Sequence, residues 1–250
     1  MLHLRTRRSG PFISGPVIAA WALTGAILLS ASAPGAAAEF SISGTVTYEG
    51  EPLKRYPLRM DADPNCAAMY DGKRVLSRDS LVGDDGAVEN VFVYLREAPE
   101  GAAGDKPEEA VRLEQRGCLY TPRIIGVRVE QNIEIVNDDP TLHNVRALAK
   151  ANRPFNIGQP VRGTRTKFFR APEKPIQVKC DVHPWMSAYV FVMEHSFHST
   201  TGSDGEYRID ALPAGSYELV FWHEKLGEQT VEVEVTADVE GLNLTFEGVE

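Results

Sequence analysis

From residue 41 onward the chain is a succession of short runs rich in β-branched and aromatic residues: SISGTVTY, NVFVYL, IGVRVE, NIEIVN, IQVKC, AYVFVM, YELVFW, TVEVEV and LNLTF. Each run is bounded by Gly, Pro, Asn or Asp. Several alternate apolar with polar residues, the period-two pattern of a strand with one buried face. No stretch after residue 38 sustains an apolar stripe of helical period. Many short strands at this spacing predict an all-β chain folded as a β-sandwich.

Two punctuations divide the pattern. EAPEGAAGDKPEEA, residues 97–110, is rich in Gly, Ala, Pro and acid and reads as a solvated loop. The second is EHSFHSTTGSDGEY, residues 194–207, after which a strand, a Pro-Ala-Gly turn and a strand follow in RIDALPAGSYELVFW. The expected organisation is a central sandwich over 88–194 and a smaller β module over 195–250. The 39–87 segment is open between two placements: on its own, or with ISGTVTYEGEPL pairing with the C-terminal module, so that the central domain is an insertion.

The first residues read as an export signal. Arg5, Arg7 and Arg8 precede an apolar stretch at 17–29, and the small residues Ala36 and Ala38 follow it. Cleavage is expected after Ala38, giving a periplasmic or secreted bacterial protein, and no later run approaches a membrane span. Loss of residues 1–38 removes three arginines and no acids, taking the formal net charge from −9 to −12. That balance excludes nucleic acid and anionic membrane as partners and suits a protein with a basic docking face. Cysteines number three, Cys66, Cys118 and Cys180. In an oxidising compartment an odd count leaves one over. Cys66–Cys118 is the expected disulfide, because Cys180 has another use.

That use is suggested by KCDVHPWM, residues 179–186, which sets Cys180, His183 and Met186 at three-residue intervals. Ile176, Val178 and Cys180 share one face of a strand, and Pro184 prevents the strand from continuing. The run is therefore a strand end, a tight loop and a new strand, a shape that can gather three side chains around one point. A fourth ligand is available in NIEIVNDDPTLHNV, where His143 opens the strand after a polar turn. Two imidazoles, a thiolate and a weak axial thioether make the set used by electron-transfer copper. Pro184 brings no N–H to the loop. Zinc would accept the cysteine and histidines but gains little from a thioether.

With these residues the chain resembles the cupredoxins, the amicyanin- and plastocyanin-like blue copper proteins, over roughly residues 110–193. The resemblance implies a Greek-key β-sandwich with one type 1 copper, ligands His143, Cys180, His183 and Met186, and Asn144 stiffening the ligand loop beside the Cys180 sulfur. Taken whole, the sequence is similar to bacterial cupredoxin-like proteins of the methylamine-utilisation type. Its TTGSDGEYRIDALPAGSYELVFW segment looks like a carboxypeptidase regulatory-like β module, covering 196–248. The implied role is one-electron transfer with a redox protein, which His183 would reach through an apolar rim that Trp185 helps to form.

Other histidines offer less. His195 and His198 stand at the module junction with only a loose ligand spacing, and His223–Glu224 reads as a strand-end surface pair or hydrogen-bonded turn. No His-x-His pair occurs, and Lys179 and Asp181 flank Cys180, where a multicopper enzyme needs histidines. The expectation is a protein that is not an enzyme. The alternative is a structural or binding β protein whose site is vestigial or stores copper.

Overall fold

The structure is a computed structural model and describes residues 39–99 and 101–248. The expected signal segment, 1–38, lies outside the described residues. The first strands are β1 (Glu39–Glu49), β2 (Phe92–Leu95), β3 (Val111–Arg116), β4 (Leu119–Thr121), β5 (Ile124–Arg128), β6 (Ile133–Asn137), β7 (His143–Ala147) and β8 (Phe155–Gln159). They are followed by β9 (Gly163–Lys167), β10 (Glu173–Lys179), β11 (Ser187–Met193), β12 (His198–Thr200), β13 (Glu206–Pro213), β14 (Gly215–His223), β15 (Gly227–Val235) and β16 (Leu244–Glu247). A single short α-helix, α1 (Pro64–Ala68), interrupts them among the described residues. The architecture is all-β. No helix among the described residues is long and apolar enough to cross a membrane.

The central sandwich packs a five-stranded sheet, β5-β11-β10-β7-β8, on a four-stranded one, β4-β3-β6-β9. The chain passes repeatedly from one layer to the other, so each strand must offer one apolar face. β10 buries Ile176 and Val178 and leaves Lys179 exposed, and β6 buries Ile133 and Ile135 around the half-buried Glu134. These side chains meet Leu113, Tyr120, Val145, Phe169 and Val190 in one core. At roughly 1.5–3 kcal/mol for each large side chain taken from water, this packing fixes the register.

A second core lies between β13-β1-β16 and β12-β2-β14-β15. β1 pairs antiparallel with β13 and parallel with β16, so the 39–49 stretch sits inside the C-terminal module and the central sandwich interrupts that module in sequence. The structure moves one boundary: residues 92–95, expected in the central sandwich, pair with β12 and β14 instead. The reason is visible in the sequence FVYL. Val93 and Leu95 face the C-terminal core, while Phe92 and Tyr94 face a third cluster with Ile124, Phe191, Met193 and Val220. Phe92 stacks on Phe191 with centroids 4.1 Å apart, joining the two sandwiches. A strand that is apolar on both faces belongs between two layers, not at the edge of one.

The segment from 58 to 75 has little regular structure but is not free. Leu58, Met60, Cys66, Met69, Tyr70 and Val75 pack against the central core, and Cys66 is disulfide-bonded to Cys118. α1 begins conventionally: Asp63 caps it by accepting the Asn65 N–H at 2.7 Å, and Pro64 occupies the first turn. This short element is brought by the disulfide to one end of the central sandwich.

Candidate metal centre

Cys180 follows the last residue of β10, on the face that carries Ile176 and Val178 inward, and is 3 % exposed. The loop then folds back on the sulfur. The His183 N–H reaches Cys180 Sγ at 3.3 Å, Met186 N–H donates to the His183 carbonyl at 2.9 Å, and Cys180 N–H donates to the Met186 carbonyl at 3.2 Å. Met186 is thereby turned into the same core as Cys180 and is 1 % exposed. Pro184 is exposed at the tip and Trp185 is half-buried, its Nε1–H donating to the Cys118 carbonyl at 3.0 Å.

His143 is positioned by a separate turn. Asn137, at the end of β6, accepts the Asp139 N–H at 2.9 Å and donates through Nδ2 to the carbonyls of Thr141 and Gln159, both at 3.0 Å. This Asn-centred turn delivers His143 to the start of β7 fully buried. β7 runs beside β10, with Val178 opposite Ala147 and Lys179 opposite Arg146. Continuing that register sets Asn144 against the ligand loop. Its Oδ1 accepts the Asp181 N–H at 2.7 Å and lies 3.3 Å from Cys180 Sγ.

The result is a cluster of three donors. His143 Nδ1 and His183 Nδ1 are 2.9 Å apart, and Cys180 Sγ is 3.8 Å from His183 Nδ1. All three ligand atoms lie within 4.8 Å of one another. On the far side of each ring stands a carboxylate: His143 Nε2 is 2.9 Å from Asp139 Oδ2, and His183 Nε2 is 3.0 Å from Asp63 Oδ2. A carboxylate accepting from Nε2 fixes the proton there and turns the Nδ1 lone pair toward the centre. Two imidazole lone pairs facing each other beside a thiol form an arrangement whose chemistry fits a soft or borderline transition metal.

The electrostatics agree with the geometry. Burial opposes the Cys180 thiolate, but hydrogen bonds from His143 and from the N–H groups of Asn144, His183 and Val182 outweigh it and hold the thiol below its ordinary pKa. Burial also disfavours a charged His143, yet Asp139 and Cys180 prevail and lift it to about 8. His183 goes the other way, pushed down chiefly by burial, with Asp63 opposing and the His143 charge assisting. Of the two rings, His143 is therefore the one that holds a proton more firmly.

Two features differ from the sequence expectation. His183 is 1 % exposed and does not look out through an apolar rim at Trp185. The Asp63 carboxylate covers it, and Cys66 Sγ lies 3.4 Å from its Nε2. The cause is the disulfide, which pulls α1 over the ring. The exposed apolar groups nearby are instead Leu142 and Val182, each 43 % exposed and each immediately preceding a histidine of the cluster.

Asp63 and Asp139 escaped the sequence reading. Asp139 carried a local signal, a carboxylate four residues before His143 in an Asn-rich turn. Asp63 carried only that of a helix cap in DPNC, and nothing in the sequence brings residue 63 near 183. The remaining histidines lie elsewhere. His195 Nε2 donates to the Leu95 carbonyl at 3.1 Å, His198 packs on Phe92, and His223 Nδ1 accepts from Lys225 and Leu226, both at 3.3 Å. Glu224 is paired with Arg123.

No protein-family model matches the chain, and no curated protein matches it. Solved structures do. The copper-containing nitrite reductase of Thermus scotoductus SA-01 is similar at 20% identity and a TM-score of 0.33, over 38% of this chain and 25% of that one. The chain thus spans about a quarter of the reductase's length. A purple cupredoxin from Nitrosopumilus maritimus is similar at 18% identity and a TM-score of 0.29, over 33% of this chain and 99% of its own. A Cu(I) form of an amicyanin variant is similar at 17% identity and a TM-score of 0.31, over 40% of this chain and 98% of its own.

Proposed function

We propose that this chain is an exported, copper-binding cupredoxin-like protein that carries single electrons and is not an enzyme. His143, Cys180, His183 and Met186 would hold one type 1 copper. The observation that carries the reading is the orientation of the two imidazoles: each Nε2 is tied to a carboxylate, and each Nδ1 faces the other and the Cys180 sulfur. Bound copper would supply one-electron cycling between Cu(II) and Cu(I).

The chain's own residues do the rest. Asp139 and Asp63 keep the ring protons on Nε2 and lock the ring planes. Asn144 and the His183 N–H hold the sulfur in place and lower its basicity. The Cys66–Cys118 disulfide and α1 shut water out from the His183 side. A site held this firmly changes little on electron transfer, as a carrier requires. Periplasmic or secreted residence, a methylamine-utilisation type, a carboxypeptidase regulatory-like C-terminal module and a redox protein partner with a basic docking face belong to the same proposal. They are supported by the sequence motifs and by the chain's acidic balance.

The test is copper titration of the purified protein followed by visible absorption and EPR. A strong thiolate charge-transfer band with narrow copper hyperfine splitting, both lost in Cys180→Ser, is the expected result. A colourless oxidised protein, or tetragonal copper indifferent to Cys180, would overturn the type 1 reading. The burial of His183 favours a second reading, copper storage, because the usual imidazole exit is covered. Electron self-exchange measured by NMR line broadening separates the two: fast exchange supports the carrier, and none supports storage.

A further inference from the structure

Charge is distributed unevenly along this chain, and the unevenness coincides with two open sheet edges. Between residues 150 and 172 stand six cations and no acid: Lys150, Arg153, Arg162, Arg165, Lys167 and Arg170. All six are exposed. None joins an ion pair among the described residues. β9 lies in this stretch, is exposed at every residue, and among the described residues pairs with β6 alone, so its other edge has no strand partner there. Val161 and Phe168, 68 % and 42 % exposed, flank it.

From 226 to 248 the pattern inverts: six acids, at 228, 232, 234, 238, 240 and 247, and no lysine or arginine. β15 runs through the first half of that segment and is the last strand of its sheet, paired among the described residues with β14 alone. Its alternation places Val231 and Val233 on the second core and leaves Glu232 and Glu234 exposed, with no ion pair among the described residues. Glu228 alone of the three strand glutamates is engaged, with Arg96 at 3.4 Å.

We infer that β9 of one copy docks against β15 of a second copy, basic edge on acidic edge, in a head-to-tail contact. Charged residues on edge strands ordinarily prevent stray pairing. Like charges on both edges would serve that purpose equally well, whereas opposite charges on two open edges of one molecule repel like pairings and favour the mixed one. β9 against β9 and β15 against β15 are both disfavoured. The mixed contact uses different patches on the two copies, so it propagates as a ring or an open chain rather than closing as a two-fold dimer. This inference stands apart from the metal reading and needs no copper.

Sedimentation velocity of the full chain over a concentration series, at low and at high salt, tests it. The expected result is a mass that rises with concentration at low salt and returns to the monomer at high salt. Arg165→Glu with Lys167→Glu should abolish association, and so should Glu232→Lys with Glu234→Lys. An equimolar mixture of the two double variants should associate again, because each reversed edge meets its complement on the other protein. That rescue also rules out misfolding as the cause of either loss. A wild-type monomer at low salt, association that survives either reversal, or a mixture that stays monomeric would each overturn the inference.

Discussion

The substitution Asp139→Asn separates a metal-positioning role from a purely structural one. Asp139 is 3 % exposed and serves three donors: Gly117 N–H at 2.8 Å on Oδ1, and Cys118 N–H at 2.8 Å and His143 Nε2 at 2.9 Å on Oδ2. An asparagine has one acceptor oxygen. With that oxygen left on the Cys118 and His143 side, the amide NH2 points at the Gly117 N–H and strands a donor against a donor. A buried unpaired donor costs about 1–3 kcal/mol, and the bond to His143 loses its charge assistance besides. The metal-free protein should therefore lose roughly 2–3 kcal/mol in urea unfolding. Loss of an outer carboxylate from a metal-bound histidine typically weakens affinity about 10–100-fold. Competition against a colorimetric Cu(I) chelator should read a fall of that size. Leu212→Ala, in the other core, is the control: it should cost a comparable ~2–5 kcal/mol and leave copper affinity unchanged. If Asp139→Asn lowers stability while its affinity stays with the control, Asp139 only braces the turn and the account of the site is wrong.

Burial pushes His195, His198 and His223 each down to about 4, so between about pH 6.5 and pH 4 the unfolded chain holds more protons than the folded one. Stability should accordingly be complete above that window and fall by up to about 3 kcal/mol per histidine as pH drops through it. His223→Asn, whose Oδ1 can take the two N–H groups now on Nδ1, should reduce the slope by one proton, and an unchanged slope in urea titrations would refute the assignment. Cys66→Ala with Cys118→Ala opens a cross-link spanning 52 residues, for which chain entropy predicts a loss of about 4 kcal/mol. The same variant should speed hydrogen exchange of the His183 amide by freeing the α1 cover, and unchanged protection there would contradict the capping role. Gly44→Ala would set a Cβ 2.1 Å from the Leu242 carbonyl oxygen, so a loss of about 1–3 kcal/mol is expected in thermal unfolding, with a neutral outcome refuting the close approach.

What the sequence displays is whatever is encoded by neighbours along the chain. Period-two alternation reveals the strands because burial on one face repeats every second residue. The turn before His143 and the loop from Cys180 to Met186 are legible because Asn, Asp and Pro chemistry is local, and both turns fall at the same end of the central sandwich. Asp63 is different in kind. Its contact with His183 spans 120 residues and exists only because Cys66, three positions along, is bonded to Cys118, which sits beside Asp139. The placement of β2 fails to show for a related reason. FVYL is apolar on both faces, and a strand apolar on both faces announces burial without saying which two layers bury it. The consequence for function is specific. The donors of the candidate site are local features, each readable from its own turn, whereas the groups that orient those donors and close them off from water are long-range ones. A reading from motif alone puts His183 at the surface as an electron exit; the fold puts a carboxylate and a disulfide there. Under the proposed carrier role, exchange with a partner would pass the exposed Leu142 and Val182, and substitutions at these two positions, not at His183, should alter partner rates while leaving the copper spectrum unchanged.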